Sequence, residues 1–136
     1  MSEAKKNNPQ PDDKTDVLIY VVDDEPMLLE LASVILEPDG YHIETFRDPE
    51  AALQSFTNAK RRPNLLITDY AMHSMNGMQL VEKFRKLEPK QKILLVSGTV
   101  GEDIFAGAPD QPNEFLAKPY QADQLTATVK ELLACK

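Results

Sequence analysis

The chain has 136 residues, room for one domain burying about two-thirds of the surface its unfolded form exposes. It is 42% hydrophobic and 27% charged, and 15 Lys and Arg against 22 Asp and Glu leave a net charge of −7, which argues against direct binding to nucleic acid or to an anionic membrane. The single cysteine, Cys135, excludes an internal disulfide, and no apolar run reaches the length of a membrane span, so a cytoplasmic protein is expected.

Residues 1–15, from "MSEAKKNNPQPDDKTD", lack the apolar core of a secretory signal and read as a disordered tail, which leaves 16–136 as the folded domain. Short apolar runs then alternate with amphipathic segments, the pattern of an α/β protein whose parallel sheet is covered by helices on both faces. "VLIYVV" (17–22) is apolar throughout, as a doubly covered strand must be. Pro26 suits a first helical turn, and "MLLELASVIL" places apolar residues at 28, 31, 32 and 35 before "EPDG" stops the helix. "YHIETF" (41–46) alternates like an edge strand, and "DPEAALQSF" opens a second helix with Asp48 as N-cap. "NLLIT" (64–68) is the third strand. "NGMQLVEKFRKL" gives a third helix with Leu80, Val81, Phe84 and Leu87 facing inward. "KILLVS" (92–97) and "NEFLA" (113–117) supply the last two strands, and "ADQLTATVKELL" the closing helix, with Leu125, Val129, Leu132 and Leu133 toward the sheet.

The residues that follow these strands are chemically uneven. The first strand runs into Asp23, Asp24 and Glu25, the third into Asp69, the fourth into Ser97 and the fifth into Lys118-Pro119. In a right-handed parallel α/β sheet all of these ends share one edge, where ligands bind. Each has an ordinary explanation when taken alone. Acids before a helix cap it, Ser97 suits a turn, Lys118-Pro119 suits a strand end, and Phe115 in an apolar run suits a core. Their convergence on one edge is what points to a site. Three carboxylates crowded beside one ammonium leave two negative charges, which one divalent cation cancels. Mg²⁺ prefers about six oxygen ligands and keeps several waters, so carboxylates and a backbone carbonyl suit it.

"VVDDEP", "LLITDYAMHSMNG", "ILLVSGT" and "FLAKPY" resemble the four signature segments of the response-regulator receiver domain, from about residue 16 to the C-terminus. The resemblance implies a flavodoxin-like receiver fold: a doubly wound five-stranded parallel sheet of order 2-1-3-4-5, with Asp24 and Asp69 facing across the point where strand order reverses. It implies that Asp24, Asp69 and the Ala71 carbonyl bind Mg²⁺, with Asp23 reaching it through water. Asp69 is then the phosphoacceptor, Lys118 its cationic partner, Ser97 the hydroxyl switch and Phe115 the aromatic switch, and the Lys118-Pro119 bond is cis. The implied partners are a histidine kinase or histidine phosphotransfer protein and an unknown downstream protein target. Its chemistry is self-phosphorylation and self-dephosphorylation rather than enzymatic turnover.

Three departures stand out. His73 sits where the family usually has Pro after Met72, and an isolated histidine in such a loop reads as solvated. "GTVGEDIFAGAPDQPNEFLA" interrupts the fourth-helix region with Gly101, Gly107, Pro109 and Pro112, so a short or irregular helix around "EDIFA" is expected, and with it a monomer or weak dimer. Nothing resembling an output module follows the last helix, so a stand-alone regulator is expected, with a receiver fragment of a hybrid kinase as the alternative. A pseudo-receiver binding module is a further alternative, against which the intact acids, Ser97 and Lys118 speak. A phosphatase of the haloacid dehalogenase type also uses a strand-end Asp, but its D-x-D is met by neither "DDE" nor "DYA".

Overall fold

Strand β1 (Leu18–Val22) is five apolar residues long and buried along its whole length, which requires cover on both faces. In the computed structural model, which describes residues 17–98, 101, 103 and 105–134, that cover comes from four α-helices. The expected tail over 1–15 and Cys135 lie outside these residues. Strands β2 (His42–Phe46), β3 (Leu65–Asp69), β4 (Ile93–Ser97) and β5 (Glu114–Ala117) join β1 in one parallel sheet of order β2-β1-β3-β4-β5, as expected. The three inner strands are fully buried, whereas β2 and β5, at the edges, are only partly so.

Alternation along the strands divides the core. Ile19, Val21, Leu65, Ile67, Leu94 and Val96 face helices α1 (Pro26–Leu36) and α4 (Ala122–Ala134). Leu18, Tyr20, Val22, Leu66 and Ile93 face α2 (Pro49–Asn58) and α3 (Gly77–Leu87), which contribute Phe56, Leu80, Val81 and Phe84. Local signals set the helix starts. Asp48 caps α2 by accepting from the Glu50 N–H at 3.1 Å, and Asn76 and Gln79 form a reciprocal capping box at the start of α3, both bonds 2.8 Å long. A 3-10 turn (Glu37–Asp39) ends α1 on Gly40, whose φ of 90° is a left-handed conformation suited to glycine.

Two inner faces differ from expectation. On α1 the buried residues are Leu29, Ala32 and Leu36, while Leu31 is 44% exposed and Leu28 and Ile35 are half-buried. The buried stripe is thus turned about a quarter of a turn from the one at 28, 31, 32 and 35. "MLLELASVIL" is apolar on most sides, so helical period alone does not choose the inward one. On α3, Leu87, the last residue of the helix, is 40% exposed.

Between β4 and β5 no α-helix occurs among the described residues. The expected "EDIFA" helix falls in part on residues 102 and 104, outside the description; around it are single turns, Ala106 N–H to the Asp103 carbonyl at 3.4 Å and Ala108 N–H to the Phe105 carbonyl at 3.0 Å. Gly107, with φ of 82°, breaks any continuing helix there.

Candidate functional site

The C-terminal ends of the strands converge as the topology requires. Asp23 and Asp24 follow β1, Asp69 is the last residue of β3, Ser97 the last of β4, and Lys118 follows β5. Backbone bonds hold Asp23 and the strand end at Asp69. The Asp23 N–H donates to the Phe46 carbonyl at 3.0 Å, extending the β1–β2 ladder, and its Oδ1 accepts from the Glu25 N–H at 3.0 Å. After Asp69, the Tyr70 N–H bonds the Val96 carbonyl at 2.9 Å and the Gly77 N–H bonds the Tyr70 carbonyl at 2.8 Å, closing the intervening loop over the strand end.

Carboxylate oxygens of Asp23, Asp24 and Asp69 lie within 4.8 Å of one another. The Lys118 ammonium bridges two of them, 3.0 Å from Asp23 Oδ2 and 2.9 Å from Asp69 Oδ1, with its side chain only 18% exposed. Lys118 is placed there by β5, its N–H donating to the Ser97 carbonyl at 2.8 Å, and its bond to Pro119 is cis. Burial pushes the Asp69 carboxyl above the usual carboxylate value; the hydrogen bond from Lys118 opposes the rise and the Asp23 charge adds to it. Burial alone would lower the Lys118 ammonium, but its bonds to Asp69 and Asp23 outweigh that and hold it above the ordinary lysine value. The cluster opens to solvent through a depression of about 440 Å³, which Asp24, Asp69, Ala71, His73, Gly98 and Lys118 line.

Hard oxygen donors with two uncompensated negative charges fit a hard divalent cation, and Ala71 borders the same depression. Asp23, Asp24, Asp69 and Lys118 are therefore brought together as expected. Ser97 is buried at the end of β4, next to this group through its carbonyl. Phe115 is not part of the cluster. It is half-buried on β5, opposite Leu95, with its ring 6.0 Å from that of Phe105.

Three features of the site went unread in the sequence. His73 is not merely solvated: its side chain is 93% exposed, yet Nδ1 lies 2.8 Å from Asp24 Oδ2. Gly77 is needed for close approach, since a Cβ there would lie 2.5 Å from the Asp69 carbonyl oxygen and 2.7 Å from Leu95 Cδ1. The "NG" at 76–77 was the available signal, read only as a helix start. Tyr120, packed against the α1–α4 side of the core, feels Lys118, Asp23 and Asp69; burial is the first cause of its raised phenol value.

Comparison with known proteins agrees with this geometry. The family model for the response regulator receiver domain matches residues 19–130. The chain is 29% identical over 118 residues to the probable transcriptional regulatory protein TcrX of Mycobacterium tuberculosis, covering 86% of this chain and 50% of that protein. It is 32% identical over 118 residues to the nitrogen assimilation regulatory protein NtrX of Azorhizobium caulinodans, covering 85% and 26%. The chain thus spans half or less of the length of these relatives. Among solved structures, a CheY-like receiver domain protein from Methanospirillum hungatei superposes with a TM-score of 0.78 at 28% identity, covering 86% of this chain and 93% of that one. A receiver domain protein from Clostridium thermocellum gives 0.78 at 27%, covering 86% and 94%. The five-stranded parallel sheet, the acid cluster beside its lysine and the family match over most of the chain lead to one conclusion: this chain belongs to the response regulator receiver domain family.

Proposed function

We propose that the chain is the phosphate-accepting receiver of a cytoplasmic two-component relay, with Asp69 as acceptor. The observation that carries this is the Lys118 ammonium bridging Asp23 and Asp69 at the mouth of an acid-lined depression. Asp24, Asp69 and the Ala71 carbonyl would hold Mg²⁺, with Asp23 reaching it through water. When bound, the ion supplies positive charge beside the phosphoryl oxygens and so reduces their repulsion of the carboxylate.

The protein's own residues account for the remaining steps. The Asp69 carboxylate attacks the phosphorus of a phosphohistidine in line; the P–O bond forms as the P–N bond breaks, and the departing imidazole keeps the electron pair and takes a proton. Lys118 then turns from the Asp69 carboxylate to a phosphoryl oxygen, where its charge offsets the one that has arrived. Water later hydrolyses the acyl phosphate and restores Asp69. The Ser97 hydroxyl is one step along the edge from Lys118 and donates to a phosphoryl oxygen when the loop after β4 moves; Phe115 follows by turning inward. Phosphorylation acts as a population shift, through contacts made better in one state than in the other.

A partner is implied on both sides of this reaction: a histidine kinase or phosphotransfer protein as donor and a protein target as receiver of the signal. Beside Lys118 an apolar hollow of about 330 Å³, walled by Leu28, Leu31, Pro119 and Tyr120, gives such a partner an apolar rim to seat against. The test is intact mass after incubation with acetyl phosphate or phosphoramidate, with and without Mg²⁺. One added phosphoryl group that needs Mg²⁺ and is absent from Asp69→Asn is expected. If mass is unchanged and beryllofluoride also fails to perturb the tyrosine signal, the chain is a binding module that never carries phosphate.

A further inference from the structure

His73 meets the acid cluster from outside, at Asp24 alone. Its side chain is 93% exposed, and this is its single polar side-chain contact among the described residues. It also lines the depression that holds Asp24, Asp69 and Ala71. We propose that His73 is a specificity-determining ligand of the cation site, adding an imidazole nitrogen to the oxygen set and shifting preference from Mg²⁺ toward first-row transition ions. This rests on the cation site proposed above.

Adjacent ligands of an octahedral ion with bonds of about 2.1 Å stand about 3 Å apart. The Nδ1 to Oδ2 separation of 2.8 Å is already close to that edge, so the two atoms need not part to share an ion. Without an ion, an Nδ1–H donates to Asp24; with one, the neutral ring in its other tautomer keeps its proton on Nε2, in solvent, and offers the Nδ1 lone pair. No His73 nitrogen is among the atoms that converge within 4.8 Å, so the ring must swing toward Asp69 to ligate, and at 93% exposure such a swing disturbs no core contact. Imidazole nitrogen adds little to Mg²⁺, which favours oxygen, but favours Co²⁺, Ni²⁺ and Zn²⁺. A proline at position 73 would supply no donor.

The experiment is calorimetric titration of the full chain with Co²⁺ and separately with Mg²⁺, in wild type and in His73→Ala, both carrying Cys135→Ser so that no thiol competes. The Co²⁺ absorption spectrum serves as an independent report of the ligand set. Loss of a direct ligand should cost at least the roughly tenfold in affinity that loss of an outer partner costs. The expected result is a fall of about tenfold in the Co²⁺-to-Mg²⁺ affinity ratio in His73→Ala, with a changed visible spectrum. If both affinities rise together and the ratio holds, His73 competes for Asp24 instead of ligating, and the proposal is overturned. An unchanged ratio and spectrum overturns it equally while leaving the oxygen site standing. Failure of wild type to bind either ion, or binding indifferent to Asp24→Asn, overturns the cation site itself and His73's role with it.

Discussion

Replacing Asp69 with Asn should stabilise the protein when no divalent cation is available. Asp69 lies no more than 4.8 Å from carboxylate oxygens of both Asp23 and Asp24 and 2.9 Å from the Lys118 ammonium. At an effective dielectric of about 20, each repulsion is worth at least about 3.5 kcal/mol and the attraction about 6 kcal/mol. Removing the charge therefore gains about 1 kcal/mol, before relief of the cost of burying it is added. Asn keeps the shape and can still accept from Lys118, so little opposes the gain. Urea denaturation in EDTA at pH 7 should show Asp69→Asn ahead by about 1–2 kcal/mol, and thermal unfolding should show it ahead by about 4 °C or more. The pH dependence fixes the sign independently. A carboxyl raised in the folded state contributes stability below its unfolded value and loses that contribution as pH rises through the folded value. The mutant's advantage should therefore shrink as pH falls toward the ordinary carboxylate value of 3.8. Saturating Mg²⁺ should reverse the order, because an ion at about 100 times its dissociation constant adds about 2.7 kcal/mol to the protein that binds it. An Asp69→Asn protein less stable than wild type in EDTA, or an advantage indifferent to pH, would refute the charge reasoning.

Removing the other side of the balance should do the opposite. Lys118→Ala leaves three buried or half-buried acids without their ammonium and should cost about 2–3 kcal/mol in EDTA by urea denaturation, less once Mg²⁺ is added. Gly77→Ala places a methyl 2.5 Å from the Asp69 carbonyl oxygen, so the strand end must shift; about 2 kcal/mol of stability and a weaker Mg²⁺ titration are both expected. Phe84→Ala, which empties a fully buried site whose ring centroid lies 4.4 Å from that of Phe56, should cost about 3–5 kcal/mol while leaving Mg²⁺ affinity in the surviving folded protein unchanged.

Much of this molecule is legible in its sequence because local and long-range signals agree. The runs "LIYVV" and "ILLVS" have nowhere to go but the middle of a sheet, and Asp48 and Asn76 start the helices their caps announce. The acids and Lys118 could be placed on one edge because parallel topology leaves no other option. What stayed hidden depends on distances that period and composition do not encode. The inward face of α1 is chosen by the sheet beneath it, since its sequence offers apolar residues on nearly every side. The grip of His73 on Asp24 joins residues 49 positions apart, and nothing in "AMHSMNG" says which way that ring turns. The demand for glycine at 77 comes from the backbone of Asp69 crossing beneath it.

Stability is distributed unevenly around the site, and the unevenness bears on its use. Asp23, Asp24 and Asp69 sit at the ends of β1 and β3, strands buried on both faces and paired on both sides. The backbones of Asp23 and Asp69 are anchored in the sheet, which limits how far the repulsion between them can relax by drifting apart. It can be relieved by a cation, by a proton or by Lys118. Lys118, in contrast, follows β5, a short, partly exposed edge strand, and Ser97, though buried itself, precedes the segment between β4 and β5, where the described residues form only single turns. Displacement costs least where fewest buried contacts oppose it. A charge arriving at Asp69 therefore pulls against a rigid floor and a yielding wall. On the function proposed above, Lys118 is the group best placed to follow it, because its strand lies at the partly exposed edge of the sheet.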